Sequence, residues 1–157
     1  MPLAKEDYAD SEDNDLFCAI KNCDWTAAQA LLRTEEGKQM ANEQDAFSNT
    51  PLHAALGYKA PDEFIIDLLN TNKKAITIHA TGNEWLPLHV AAMYGSSAKV
   101  MELIIRAYPQ ALDDPGEGGI KGRTPRHFSQ RFPHNRELLD RSTDEWVAIV
   151  IADKEMH

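Results

Sequence analysis

Apolar residues recur along this chain in compact clusters at helical spacing, separated by polar stretches. Val100, Met101, Leu103, Ile104 and Ile105 make one broad stripe, ended by Pro109, and Phe64, Ile65, Ile66, Leu68 and Leu69 make another behind a favourable first turn of Pro61, Asp62 and Glu63. Ala27, Ala28, Ala30, Leu31 and Leu32 make a third, which the pattern runs from a cap at Asp24 to Gly37. A shorter apolar cluster precedes each. The third of these reads as a helix from Pro87 to Tyr94 closed by Gly95, before a second helix from Ala98 to Tyr108. The pattern predicts pairs of helices, with roughly 13 to 17 non-helical residues between pairs, lengths suspicious in a bundle but natural for projecting loops.

The text itself repeats. Thr50-Pro51-Leu52-His53 recurs as Leu86-Pro87-Leu88-His89 after 36 residues and as Thr124-Pro125-Arg126-His127 after a further 38. Stepping back 36 from Leu52 reaches Leu16, where Leu and Ala19 keep their offsets but the Pro and His are missing. Thr50 and Thr124 suit N-caps, and Pro51, Pro87 and Pro125 suit the first helical position, where a missing N–H costs nothing. Four units result, the outer two degenerate.

With these phased motifs the chain resembles an ankyrin-repeat protein over about residues 14–141. The third unit, Pro87-Leu88-His89-Val90-Ala91-Ala92-Met93-Tyr94-Gly95, carries the resemblance best. Leu86-Pro87-Leu88-His89 and Ala107-Tyr108-Pro109 are similar to a repeat variant common in algal proteins. The resemblance implies an all-α repeat solenoid of helix-turn-helix units with hairpin fingers. The units fall at about 15–47, 48–83, 84–121 and 122–141, after an acidic disordered tail (1–14) and before a C-terminal capping helix (142–157). It also implies structural roles for His53, His89 and His127, which would tie adjacent repeats together by hydrogen bonds. Polar substitutions in the outer units fit the need of an array for solvated ends.

Departures from the pattern sharpen these expectations. Leu86 replaces the capping Thr, a loss of about 1 kcal/mol unless another group satisfies the helix end. Ser48 and Glu84 stand where a turn glycine is usual, and only Gly122 keeps it. Arg126 replaces the buried Leu of positions 52 and 88, so its guanidinium needs a partner or a route to water. Ser142 with Glu145 forms a capping box ahead of Trp146, Val147, Ile149, Val150 and Ile151, a helix expected to pack on the array or on a partner.

Composition narrows the function. With 157 residues and 43% hydrophobic content a single domain can bury a real core, which excludes global disorder. No apolar run approaches the roughly 18 residues of a membrane span, and the acidic opening is unlike a targeting peptide, so a cytoplasmic or nuclear location is expected. Two close cysteines, Cys18 and Cys23, fit a reducing compartment and lack zinc spacing. No nucleophile with a base appears, and Gly116–Gly122 lacks the Lys-Ser/Thr ending of a phosphate loop. The expectation is a non-enzymatic chain with no catalytic residue, metal, cofactor or small-molecule substrate.

The net charge of −9 is unevenly distributed. Residues 1–15 carry six acids and one base, whereas 113–141 carry six bases and five acids, with Lys121, Arg123, Arg126, Arg136 and Arg141 grouped as a basic patch alongside Arg131. The net charge disfavours nucleic acid, leaving an acidic protein as the main sharper alternative to solvated side chains. In the ankyrin-like register the concave face would present Tyr58, Trp85, Val90, Met93, Tyr94, Phe128, Arg131 and Phe132, a mix of aromatics, Met and Arg typical of interface cores. The function expected is that of an adaptor docking one protein there; the alternative is a structural subunit or assembly factor docking through its last helix and tail.

Overall fold

The structure, a computed structural model, describes residues 13–81, 83–116 and 123–156. Of the tail expected to be disordered (1–14), residues 1–12 lie outside them, as do Lys121 of the basic patch and the turn glycine Gly122, while Asn14 is ordered as the cap of the first helix. The described residues are all-helical.

Three short helices share one plan. Asn14, Thr50 and Leu86 are the N-caps of α1 (Asp15–Lys21), α4 (Pro51–Gly57) and α6 (Pro87–Tyr94), and the three caps stand 36 residues apart. The Asn14 and Thr50 side chains accept from the amides of Phe17 and His53, at 2.9 and 3.3 Å. Leu86 offers no acceptor. There the His89 amide donates to the Leu86 carbonyl at 3.0 Å, which supplies the partner that the missing Thr would have given. Beyond the other ends of these helices, Cys23, Lys59 and Gly95 all take the left-handed conformation, with φ of 56°, 59° and 75°. They too are 36 residues apart. Only at Gly95 is a side chain sterically excluded as well, since a Cβ would come within 2.6 Å of the Phe132 ring.

Each short helix is followed by one carrying a longer apolar face: α2 (Trp25–Leu32), α5 (Asp62–Thr71) and α7 (Ala98–Ala107). α4 packs against α1 on one side and α6 on the other, and α5 lies between α2 and α7. The core runs between the two layers. Leu16, Leu52 and Leu88 are at most 2% exposed, and Ala55, Ala91 and Ala92 are fully covered, so neighbouring helices approach closely. Burying each leucine contributes about 1.5–3 kcal/mol. Ser97 caps α7 and donates to Asp62 at 2.8 Å, joining the second layer by a polar link.

The structure departs from the sequence pattern in three places. α2 ends at Leu32 rather than continuing to Gly37, because Thr34 caps a separate helix, α3 (Glu35–Met40). Gly37 sits inside α3, where a Cβ would overlap the Leu31 carbonyl; the glycine permits a close approach and does not stop a helix. The connections after α5 and α7 are not wholly irregular, since each opens with a 3-10 turn, Lys73–Thr77 and Pro109–Asp113. Finally, Pro125–Phe128 winds only one 3-10 turn, and the Thr124 side chain makes no capping bond. Pro133 disfavours helical backbone at Phe132, whose φ of −130° and ψ of 111° are extended. Two further helices follow, α8 (Pro133–Asp140) and α9 (Thr143–Met156).

Arg126 is the centre of this last region. Its guanidinium donates to the carbonyls of Leu139 and Arg141, both at 2.6 Å, to Asp113 at 2.8 Å and to the Thr143 hydroxyl at 3.0 Å. Thus it binds the end of α8 to the start of α9. Trp146, fully buried, donates from its indole to the Leu138 carbonyl at 3.0 Å and carries the Arg141 guanidinium 4.8 Å from its ring. The Glu145 amide donates to Ser142 at 3.1 Å, one half of the expected capping box; the Glu145 carboxylate instead lies 4.0 Å from Arg141.

Candidate functional site

The loops between the helix pairs are fixed by short polar contacts. Asp45 accepts from the amides of Phe47 and Asn49, at 2.9 and 3.0 Å, and folds a tight turn in which Ser48 takes φ of 61°. The corresponding loop, 36 residues on, has Asn83 accepting from the Trp85 amide at 3.1 Å and Glu84 at φ 56°. The Thr81 amide donates to the Phe47 carbonyl at 2.7 Å, which fixes the two loops side by side.

His53 and His89 anchor these loops to the helices. The Thr50 amide donates to His53 Nδ1 at 3.1 Å, so the ring proton is on Nε2, which donates to the Trp85 carbonyl at 2.9 Å. His89 repeats the arrangement: Nδ1 accepts from the Leu86 amide at 3.1 Å and Nε2 donates to the Asp114 carbonyl at 3.0 Å. Both rings are buried. Burial pushes the His53 pKa down to about 4 and lowers that of His89, since a charged ring there would lose water. His127 is exposed and lies edge-on to Phe128.

Trp85 is held twice. His53 takes its carbonyl, while its ring stacks on His89 at 5.6 Å and 11° and meets Phe128 edge-on at 5.7 Å. With its ring so placed, Trp85 forms one wall of an open groove of about 330 Å³, together with Phe47, Tyr58, Val90 and Tyr94. Phe47 is 64% exposed, Tyr58 46% and Tyr94 41%. Lys21 and Asp45, also in the wall, face each other at 3.6 Å, and Lys21 is paired again with Asp13 at 2.7 Å. The groove is an aromatic surface whose charges are internally matched.

The structure therefore gathers four of the residues nominated from sequence, Tyr58, Trp85, Val90 and Tyr94, on one surface. Others lie elsewhere. Met93 is half-buried against the core, and Phe132 is half-buried beside Gly95. Phe128 is only 7% exposed: its ring supports Trp85 from below, which corrects the expectation that it faces a partner. Arg131 is exposed, with its guanidinium 5.7 Å from the Phe132 ring. Phe47 was not legible as a wall residue. Its only signals are a single aromatic inside a polar turn and its place 36 residues before Asn83.

The basic patch divides. Arg126 and Arg141 turn inward, to Asp113 and to Glu137 and Trp146, and are committed to holding α8 and α9. Although burial opposes it, hydrogen bonds from Thr143 and Arg126 hold the Asp113 carboxyl below its ordinary range. Arg123 and Arg136 are exposed and stand in no ion pair among the described residues. A wider depression of about 710 Å³ between α2, α3 and α5 is lined by polar residues apart from Leu32, Gln29 and Asp67 among them, and brings no nucleophile to a base. Cys18 is buried and Cys23 exposed. Among the described residues no three His, Cys, Asp or Glu side chains converge to hold a metal, and no helix is long and apolar enough to cross a membrane. No protein-family model matches the chain, and no curated protein matches it either.

Proposed function

We propose that the chain is a small ankyrin-type repeat solenoid that acts as a non-enzymatic protein-binding module, docking a partner in the groove walled by Phe47, Tyr58, Trp85, Val90 and Tyr94. The 36-residue spacing of caps, left-handed positions and 3-10 turns supports the repeat reading, as do the two histidines that each reach the next loop. Half-buried Trp85 carries the functional reading. A tryptophan held by a carbonyl bond and two ring contacts, with exposed tyrosines beside it, has lost most of its freedom before any partner arrives, which lowers the entropic cost of binding. Two close cysteines, Cys18 and Cys23, fit a reducing, cytoplasmic setting.

The test is capture of a partner by the full chain and by a Tyr58→Ala/Tyr94→Ala variant. Both side chains are exposed, so the melt should stay within a few degrees while capture falls at least tenfold. Undiminished capture overturns the reading.

A second reading draws on α9. Its stretch from Trp146 to Ala152 is apolar on every side, yet only Trp146 is buried and Ile151 is 51% exposed. A helix of that kind is ordinarily covered all round. On this reading the chain is a structural subunit whose last helix docks on a larger complex, and deleting residues 142–157 abolishes association while the tyrosine variant keeps it.

A further inference from the structure

The groove does not stop at Tyr94. Gly95 holds the Phe132 ring, and Arg131 lies over that ring, so the aromatic surface passes into a cationic one. On the loop side the same happens. Arg123 stands 38 residues after Trp85, the same step that separates Leu86-Pro87 from Thr124-Pro125, and its backbone faces the His89 ring on which Trp85 stacks. Arg123 and Arg131 thus flank the residues that lie against the Trp85 and Tyr94 walls.

These two arginines are exposed and stand in no ion pair among the described residues. Among the described residues the neighbouring carboxylates Asp113, Asp114 and Glu137 are already engaged, by Arg126 at 2.8 Å, His79 at 2.8 Å and Arg141 at 3.1 Å. Arg136, on α8, opens toward the opposite depression with Pro133 and Glu137 and does not belong to this surface. At the other end of the groove Lys21 is neutralised by Asp13 and Asp45. The groove therefore has aromatic walls with Lys21 and Asp45 paired in them, and two exposed arginines stand beyond it, within a chain of net charge −9.

We infer that the occupant is a linear peptide segment of a partner protein, in which an apolar anchor is joined at one end to a cluster of carboxylates. The anchor lies against Trp85, Tyr58 and Tyr94, and the carboxylates reach Arg123 and Arg131, whose planar forks suit them. Elsewhere the excess negative charge of the chain repels such a peptide, so the arginines set its direction as well as its affinity. This inference rests on the groove reading and adds the charge and polarity of the ligand.

The experiment is selection from a displayed library of random 12-residue peptides on the full chain, with enriched peptides then synthesised and their affinities measured. The expected result is enriched peptides pairing aromatic or aliphatic residues with an acidic cluster at one end. Their affinity should fall more than tenfold in Arg123→Glu/Arg131→Glu and in Tyr58→Ala/Tyr94→Ala. Enriched peptides lost on the tyrosine changes but lacking acidic residues, or indifferent to charge reversal, overturn the inference and leave the groove intact. Acidic peptides indifferent to the tyrosine changes overturn the groove itself. A library that yields no binder contradicts both. Circular dichroism melts of each variant confirm that a lost affinity is not a lost fold.

Discussion

The middle of the molecule, α4 to α7, and its C-terminal region, from Pro125 to Met156, build neighbouring stretches of one helical layer structure by different means. In the middle, leucine occupies positions 52 and 88 at 2% exposure or less, and buried histidines link helices to loops. In the C-terminal region the corresponding residue is Arg126, whose guanidinium gathers two carbonyls, a hydroxyl and a carboxylate. Carbon packing is non-directional and tolerates small shifts, whereas a four-partner guanidinium demands each partner in place. The comparison teaches that an outer unit can stay ordered without an apolar plug, provided that the hydrogen bonds exposed at the end of the core converge on one charged side chain.

Removing one fully buried side chain from each region separates the two most clearly. Trp146→Ala should cost about 3–5 kcal/mol and Leu88→Ala about 2–5 kcal/mol. The effects should differ in reach. Hydrogen exchange should show protection lost in α8 and α9 alone for Trp146→Ala, whereas Leu88→Ala should lower the melt of the whole molecule. If both variants unfold identically and globally, the two regions are one cooperative unit and the distinction fails.

Acid probes the middle next. His53 has a pKa near 4 against an ordinary 6.5, so the unfolded chain takes up a proton that the folded chain refuses. Its contribution is complete above pH 6.5 and is lost as pH falls through about 4, amounting to about 3 kcal/mol at the lower end. His89 acts in the same direction. His53→Gln, which can still accept from Thr50 and donate to Trp85, should flatten the fall in melting temperature between pH 6.5 and 4. An unchanged slope would remove His53 from the account. Asp113 stabilises throughout this range and loses its contribution only at lower pH, below the ordinary carboxylate range, as its hydrogen-bonded carboxylate is protonated.

Arg126→Leu tests the C-terminal hub by restoring the residue of positions 52 and 88. The Leu139 and Arg141 carbonyls and Asp113 would lose a common donor, and α9 should loosen at a cost of about 1–3 kcal/mol, read as faster exchange of its amides. A variant as stable as the parent would mean that the hydrogen bonds only replace packing and add nothing. The smallest effect belongs to the loops. Glu84→Gly relieves a left-handed residue and should stabilise by about 0.5–1 kcal/mol, after the greater entropy of unfolded glycine is set against the strain. A lowered melting temperature would mean that Glu84 contributes something its backbone angle does not disclose.

Much of this was legible because helix starts and apolar stripes are local. Pro51 and Pro87 begin helices where the spacing puts them, and the stripes of α5 and α7 face the core except at half-buried Ile66 and exposed Leu103. Other features had no local signal. Cys23 and Lys59 are residue types that give no hint of left-handed backbone, and only their distance from Gly95 could have exposed them. Gly37 read as a stop because a glycine needed for close approach looks the same in sequence as one that ends a helix. The inward turn of Arg126 depends on carbonyls 13 and 15 residues away, and the burial of Phe128 on a tryptophan from another loop. Such contacts are set by tertiary packing. For the groove, the aromatic positions could be nominated but the ring stack that fixes Trp85 could not.

The groove and α9 are the two docking surfaces proposed, and photo-crosslinking decides between them. A benzophenone amino acid placed at Tyr94 in one version of the full chain and at Ile151 in another, irradiated in an extract of cells that make the protein, marks whatever touches each site. An adduct of one defined mass at Tyr94, and none at Ile151, is the expected result. An adduct at Ile151 with Tyr94 silent would contradict it and move the docking surface to the last helix.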